Sequence, residues 1–572
     1  MTAIDPSDRP RRARAGLGQP GPTQAPPARP GLAKAGWKNG WTIWVAIFLI
    51  ATFQPMTLDV AGIYFNGARL ICFLIMIPLT IAWLQGKAGR IMTADLLLIA
   101  FCFWMILSLL LHQGVGTAVN YGASQAIEIM GPYLLARLAI RNIEGFLHFG
   151  RWLLGLTLFV LPFAAFEAVF DRQPLRTLFD VVPVFGLITP VDYGERLGLT
   201  RAQVSFEHPI LYGVIVSIGF SLAWVALRAT QMGMTGRILR AGGVFLATFF
   251  SLSSGALASV MVQIILIGWD TVLSQVKKRW QILLGIIAFF YTVLEIVSNR
   301  GPIILAISYL TFSGGTAWNR VLIWRYGTDE VWRYPLLGQG LFEDWERPVW
   351  MVASIDNYWL LIAMRYGLPG IILVLTAMVL LMRGNWRQDW SAIPAYAACR
   401  DAYVFTLFAL FISFATVAAF SVAQSLLFFF LGSGVWLIQM AEAQRKEAER
   451  TRHDTADPDD DMGALVPPDL EDDQSVPALD ETRNRGPRGR LIYSRFAAKP
   501  GRTGRKAAAS VDQTTLPSQA RSSQARPAAS KAAPAPRAPD AERPSGPVQP
   551  AKARKPRHIE RKPRPGPGPK RP

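Results

Sequence analysis

Between residues 41 and 441 the chain is a succession of apolar runs separated by charged or turn-forming residues, and that pattern excludes most folds. About 20 apolar residues cross the roughly 30 Å hydrocarbon layer of a bilayer as a helix, whereas a water-soluble core interleaves polar residues at helical or strand period. The runs fall near 41–57, 67–84, 95–111, 120–140, 148–170, 209–227, 241–254, 256–269, 280–298, 356–382, 401–420 and 424–441. They predict an all-α polytopic membrane protein with about twelve transmembrane helices. The fourth run is the weakest, because Glu128, Gly131 and Pro132 interrupt it, and only the turn at Ser253-Ser254-Gly255 separates the seventh from the eighth.

Charge is distributed differently. The 572 residues are 51% hydrophobic yet carry a net charge of +19, because the polar ends hold much of the Lys, Arg and Pro. Residues 1–40 have no apolar core with a cleavage site, so they do not read as a secretory signal peptide but as a disordered basic amino terminus. Residues 442–572 begin as a short charged helix to about Arg452, pass through an acidic block and end in a Pro/Ala/Lys/Arg tract. Such a stretch cannot bury enough apolar surface to offset its ordering entropy, and it reads as a disordered cytoplasmic tail. Its basic part suits anionic lipids or an assembly partner; no folded reader module accompanies it, so nucleic acid is not an expected partner. Cys72, Cys102 and Cys399 lie in or beside apolar runs without metal-ligand spacing and read as packing residues.

Cytoplasmic connections hold an excess of Lys and Arg. With the Arg-rich amino terminus inside, Lys87 and Arg90, Arg137 and Arg141, Arg228 to Arg240, Lys277 to Arg279, and Arg383 to Arg400 all fall on the cytoplasmic side. Both termini are then cytoplasmic, and two long connections, 171–207 and 299–355, face outward. Connections of that length are commonly functional.

The first connection contains Glu195, Arg196 and Arg201 and runs through Phe206-Glu207-His208-Pro209 into a helix. Arginine forks and helix amino termini both suit phosphate, although interfacial residues meeting lipid headgroups would look the same. The second contains an amphipathic stretch, Trp318 to Trp324 with Asn319 and Arg320, suited to the membrane surface. It continues through Pro335-Leu-Leu-Gly338-Gln-Gly340 to Asp356-Asn357-Tyr358-Trp359-Leu360 at the start of a span. Asp356 reads either as a proton acceptor or as the cap of that helix. Glu128, Glu167 and Glu295 fall within spans, where a charge is costly and often functional.

Taken in order, these residues resemble the O-antigen ligase and polymerase superfamily over about residues 40–440. The pieces that match are Arg201 with Phe206-Glu207-His208-Pro209 and Gly213, Ser251-Leu-Ser253-Ser254-Gly255-Ala256, Asn319-Arg320 with Trp324, Pro335 to Gly340, and Asp356 to Leu360. The resemblance implies a bacterial inner-membrane glycosyltransferase whose donor is an undecaprenyl-diphosphate-linked glycan. It maps the diphosphate-holding arginines onto Arg201 and Arg320. Asp356, or in second place Glu207 or His208, is the candidate base, and Arg196, Glu207, His208, Asn319, Trp324, Asn357 and Tyr358 are the candidate substrate-binding residues. The outer loops hold arginines able to offset phosphate charge and no Asp-x-Asp pair, so a transfer without metal or cofactor is expected; membrane lipids, a flippase and a chain-length regulator are the expected partners.

Two departures stand out. The family's serine turn commonly continues with arginine, where this chain has Ser254 and Gly255; and the histidine that ligases carry in the second outer loop is missing, since 299–355 contains none. The Asp-Asn-Tyr sequence instead resembles the exopolysaccharide polymerase branch, which joins lipid-linked repeat units. The alternatives are a ligase that moves glycan to a lipid or other acceptor, a lipid-linked glycan flippase, and a noncatalytic assembly component.

Overall fold

The computed structural model describes residues 40–60, 63–181, 186–189, 192, 194–230, 233–298, 314–341 and 345–455. The expectations for 1–39 and 456–572, and for the part of the second long connection at 299–313, lie outside these residues. In chain order the helices are α1 Thr42–Thr52, α2 Gly67–Leu84, α3 Thr93–Thr117, α4 Ser124–Ala139, α5 Ile143–Phe170, α6 Pro174–Phe179, α7 Pro209–Ser217, α8 Gly219–Trp224, α9 Met234–Phe250 and α10 Ser254–Val272. They continue with α11 Arg279–Val297, α12 Gly314–Arg333, α13 Tyr358–Trp386, α14 Pro394–Phe414, α15 Val422–Ser433 and α16 Val435–Thr455. The last crosses residue 441 without a break, so the boundary expected there between membrane body and tail falls inside a helix.

Nine helical stretches among the described residues are long and apolar enough to span a bilayer, which makes this a multi-pass membrane protein; the expected number was about twelve. Three places account for the difference. α1, with 11 residues, is too short for an ordinary crossing, and α9, with 17, stands at the lower limit for one. The runs at 95–111 and 120–140 belong to one helical stretch, Thr93–Ala139, of 47 residues. That stretch is bent double. Gly114 takes φ 78°, a π-helical turn follows at Ala118–Ala123, and Gly122 lies beside Ile106 and Leu109. Arg137 reaches Asp95, from which a straight helix would separate it by roughly 60 Å.

The bundle is organised around α15, all of whose residues are buried. Phe429 stacks on Phe48 at 5.2 Å, and Phe430 on Tyr403 at 5.3 Å. Gly432 lets α15 approach α4 so closely that a Cβ there would come within 2.5 Å of the Tyr133 carbonyl oxygen. Lipid is as apolar as these side chains, so close packing and interhelical hydrogen bonds, rather than exclusion of water, hold such helices together. Gln263 on α10 is one such link: its Oε1 accepts from Ser221 Oγ at 2.7 Å and Thr406 Oγ1 at 3.3 Å, and its Nε2 donates to the Ser217 carbonyl at 3.0 Å. α11 differs from the rest in having no buried residue; Trp280, near its start, packs on Trp386 and Phe405.

Two small sheets occupy the connections. β1 Met56–Val60 pairs antiparallel with β2 Ile63–Asn66 on one side and β3 Gly186–Leu187 on the other. β4 Glu195–Arg196 and β5 Leu199–Thr200 form a hairpin. Its two turn residues, Leu197 and Gly198, both have positive φ, the geometry that suits a two-residue hairpin. α12 extends the expected amphipathic stretch at both ends.

Candidate active site

The segment that carries Arg201 has no regular structure, yet its backbone is held at nearly every residue. Glu167, at the end of α5, accepts the Gln203 and Val204 amides at 3.1 and 2.7 Å. Arg176 of α6 donates to the carbonyls of Val204, at 3.1 Å, and Phe206. The Ala202 amide donates to the Phe250 carbonyl at 3.0 Å. Glu167, which the sequence marked as a costly charge within a span, is thus a backbone anchor, and Glu128 is paired with Arg69 at 2.8 Å. Glu295 lies on α11, away from any buried surface. Arg176 was not anticipated; nothing in its sequence context marks it.

His208 begins α7, its Nδ1 accepting the Ile210 amide at 2.9 Å. Burial, and then the charges of Arg201 and Arg196, push its pKa down to about 3, so the ring is neutral. The first turn of α7 packs against the serine turn. A Cβ on Gly213 would lie 2.3 Å from Ser251 Oγ, and one on Gly255 would lie 2.3 Å from Val417, which explains both glycines. Ser253 caps α10. The positive charge missing from the turn arrives from elsewhere: Arg196, on the hairpin, donates to the Leu252 carbonyl at 2.9 Å. Arg320, buried on α12, donates to Ser254 Oγ at 3.2 Å.

The wall opposite is the start of α13. Asn357, not Asp356, caps it, its Oδ1 accepting the Leu360 amide at 3.1 Å. The Asp356 carboxylate is therefore available to the site. α13 is also broken, with φ 72° at Gly367, and the Pro335–Gly340 segment fills the break. The Gln339 and Gly340 amides donate to the Met364 and Arg365 carbonyls at 2.8 and 3.0 Å, and the Leu368 amide donates to the Pro335 carbonyl at 2.7 Å. A Cβ on Gly338 would lie 2.4 Å from the Arg365 carbonyl carbon, and one on Gly367 would lie 2.0 Å from the Leu336 carbonyl oxygen. Interrupted membrane helices are tolerated where protein or a cavity takes up the freed backbone groups.

These elements enclose a cavity of about 920 Å³. Arg196, Arg201, His208, Asn319, Arg320 and Asp356 line it, so the two long connections contribute to one space. Burial raises the Asp356 pKa, against the lowering effect of Arg320 and Arg201. Burial lowers that of Arg320, which Asp356 opposes and Arg196 reinforces. The other expected residues are not in its lining. Glu207 Oε1 accepts from Tyr64 at 3.2 Å and Ser421 at 2.9 Å, Asn357 is the cap, and Trp324 lies part-exposed on α12. Tyr358 donates to Gln424 Oε1 at 3.3 Å and lines a smaller adjoining cavity. Tyr121, Trp345 and Arg365 also line the main cavity and were missed, because none sits in a motif read from the sequence; Gln339 lines it too, within a motif that was read but not singled out as a site residue.

Residues 241–375 match the O-antigen ligase family model. No curated protein matches the chain. The matched stretch contains Ser253, Ser254, Asn319, Arg320 and Asp356, while Arg196, Arg201 and His208 of the same cavity precede it. The match to the O-antigen ligase family over residues 241–375 supports the resemblance to the O-antigen ligase and polymerase superfamily.

Proposed function

We propose that this protein polymerises undecaprenyl-diphosphate-linked oligosaccharide repeat units into exopolysaccharide or O-antigen on the periplasmic face of the bacterial inner membrane. The observation that carries this reading is the convergence of Arg201, Arg320 and Asp356, from two connections far apart in sequence, on one cavity. In the transfer, an acceptor hydroxyl oxygen bonds to the anomeric carbon of the donor glycan as the bond from that carbon to the diphosphate oxygen breaks. Arg201 and Arg320 hold the diphosphate and offset the charge it gains, and Asp356 takes the hydroxyl proton. A single displacement inverts the anomeric carbon.

The transfer is read as metal-independent because arginines can offset developing phosphate charge without a metal. The polymerase branch is favoured over the ligase by Asp356 and by the lack of histidine in 299–355. The periplasmic side follows from the Lys and Arg distribution, and a flippase and a chain-length regulator are the partners such a reaction requires. Mass analysis of lipid-linked glycans in a deletion strain tests the reading: single repeat units should accumulate. Full-length polymer that stays on its carrier would instead identify a ligase.

A further inference from the structure

The cavity lining includes a further polar pair to which the donor reading assigns no role. Arg365, in the second turn of α13, lines the cavity together with Tyr121, and its Nη1 donates to the Tyr121 hydroxyl at 3.0 Å. Among the described residues Arg365 makes no ion pair. The break at Gly367 and the docked Pro335–Gly340 segment fix its backbone, and Ser108 adds a hydrogen bond to its carbonyl at 3.3 Å. Tyr121 lies on the π-helical turn of the α3–α4 hairpin, a rare geometry that recurs at functional sites. A smaller cavity of about 60 Å³ continues past this pair and shares Tyr121, Leu361, Arg365 and Phe420 with the larger one.

Charge balance gives this pair a purpose. Among its described lining residues the main cavity has the guanidinium groups of Arg196, Arg201, Arg320 and Arg365 against the single carboxylate of Asp356. A diphosphate diester brings one negative charge on each phosphorus. Among the described lining residues, Asp356 and such a diphosphate then set three negative charges against four guanidinium groups, and enclosed charges are ordinarily paired. Arg365 meets Tyr121, and Phe420 and Gln339 line the same cavity. Aromatic faces, an amide and a guanidinium fork suit a sugar ring that bears an anionic group.

We propose that Tyr121 and Arg365 form an acceptor subsite that binds an anionic group of the incoming repeat unit, with Arg365 donating to that group. This rests on the polymerase reading above and extends it to the acceptor. The anionic group has two sources, a carboxylate on the sugar ring or the acceptor's own lipid diphosphate, and separate probes distinguish them.

The full chain in nanodiscs is titrated with trigalacturonate, a neutral galactose trisaccharide and farnesyl diphosphate, using wild type, Arg365→Gln and Arg365→Lys, with thermal melts confirming that each is folded. Arg365→Gln should weaken trigalacturonate about tenfold, leave the neutral sugar and farnesyl diphosphate unchanged, and be largely rescued by Arg365→Lys. Weakening of farnesyl diphosphate alone assigns the same subsite to the acceptor diphosphate. If wild type prefers neither anionic probe to the neutral sugar, or Arg365→Gln changes none of them or all of them alike, the subsite is overturned. Arg201→Ala and Arg320→Ala in the same assay read the donor site independently: their failure to weaken farnesyl diphosphate would count against the donor reading and leave the Arg365 result to stand by itself.

Discussion

At the scale of the residue, the neighbours Asp356 and Asn357 divide two jobs that either could have done. Asp and Asn both cap helices, so composition at this helix start could not decide between them; the first helical residue, Tyr358, does. Asp356→Asn should therefore leave the thermal melt nearly unchanged while reducing turnover by on the order of a hundredfold or more. Asn357→Ala should do the reverse, costing about 1 kcal/mol of stability with the chemistry retained. The pH profile separates them further. Asp356 acts as a base only when deprotonated, and burial raises its pKa, so turnover should fall as pH drops through a value above the ordinary carboxylate range. Asp356→Asn should erase that acid limb. His208, held neutral by a pKa near 3, should add no inflection between about pH 5 and 8.

Elements show where sequence reading stopped short. The span expected at 356–382 was found almost in register as α13, since a long apolar run fixes the helix. Its break was not legible, because glycine is common in membrane helices and the segment that fills the gap lies some 30 residues upstream. The Pro335–Gly340 motif was recognisable by resemblance, but its role as a backbone graft into α13 was not. Gly367→Ala tests that role. The new Cβ would meet the Leu336 carbonyl oxygen at 2.0 Å at a φ of 72°; strain of this kind alone costs on the order of 1–3 kcal/mol, and the displaced Arg365 and Asp356 should take activity with it. Gly86→Ala has a similar φ of 74° but open space around it, and should cost about 1 kcal/mol with activity intact. Equal losses in the two variants would mean that backbone strain, not docking of the segment, explains the Gly367 effect.

For the whole molecule, the apolar runs identified the class of protein; the helix break at Gly114 falls between two runs that hydropathy had separated, and the break at Ser251–Ser253 falls at the end of the seventh run. Hydropathy separated more runs than the nine long apolar stretches among the described residues, in part because α1 is short, and could not see how the two long connections meet, because that depends on tertiary packing of anchors such as Glu167 and Arg176. The proposed orientation is open to cysteine labelling. An impermeant reagent should modify cysteines placed at Asp192 and Val349 in cells with a permeabilised outer membrane, but not one at Lys277; the opposite pattern would reverse the topology. The central claim is that Arg201 and Arg320 hold one diphosphate between them, and the most direct test is the rate of repeat-unit transfer by the purified full-length protein in vesicles. Arg201→Ala and Arg320→Ala should each lower that rate about a hundredfold, with normal membrane accumulation, and the double variant should lose much less than the product of the two, as expected for groups that act on one ligand. Either single variant transferring at the wild-type rate would contradict the shared site.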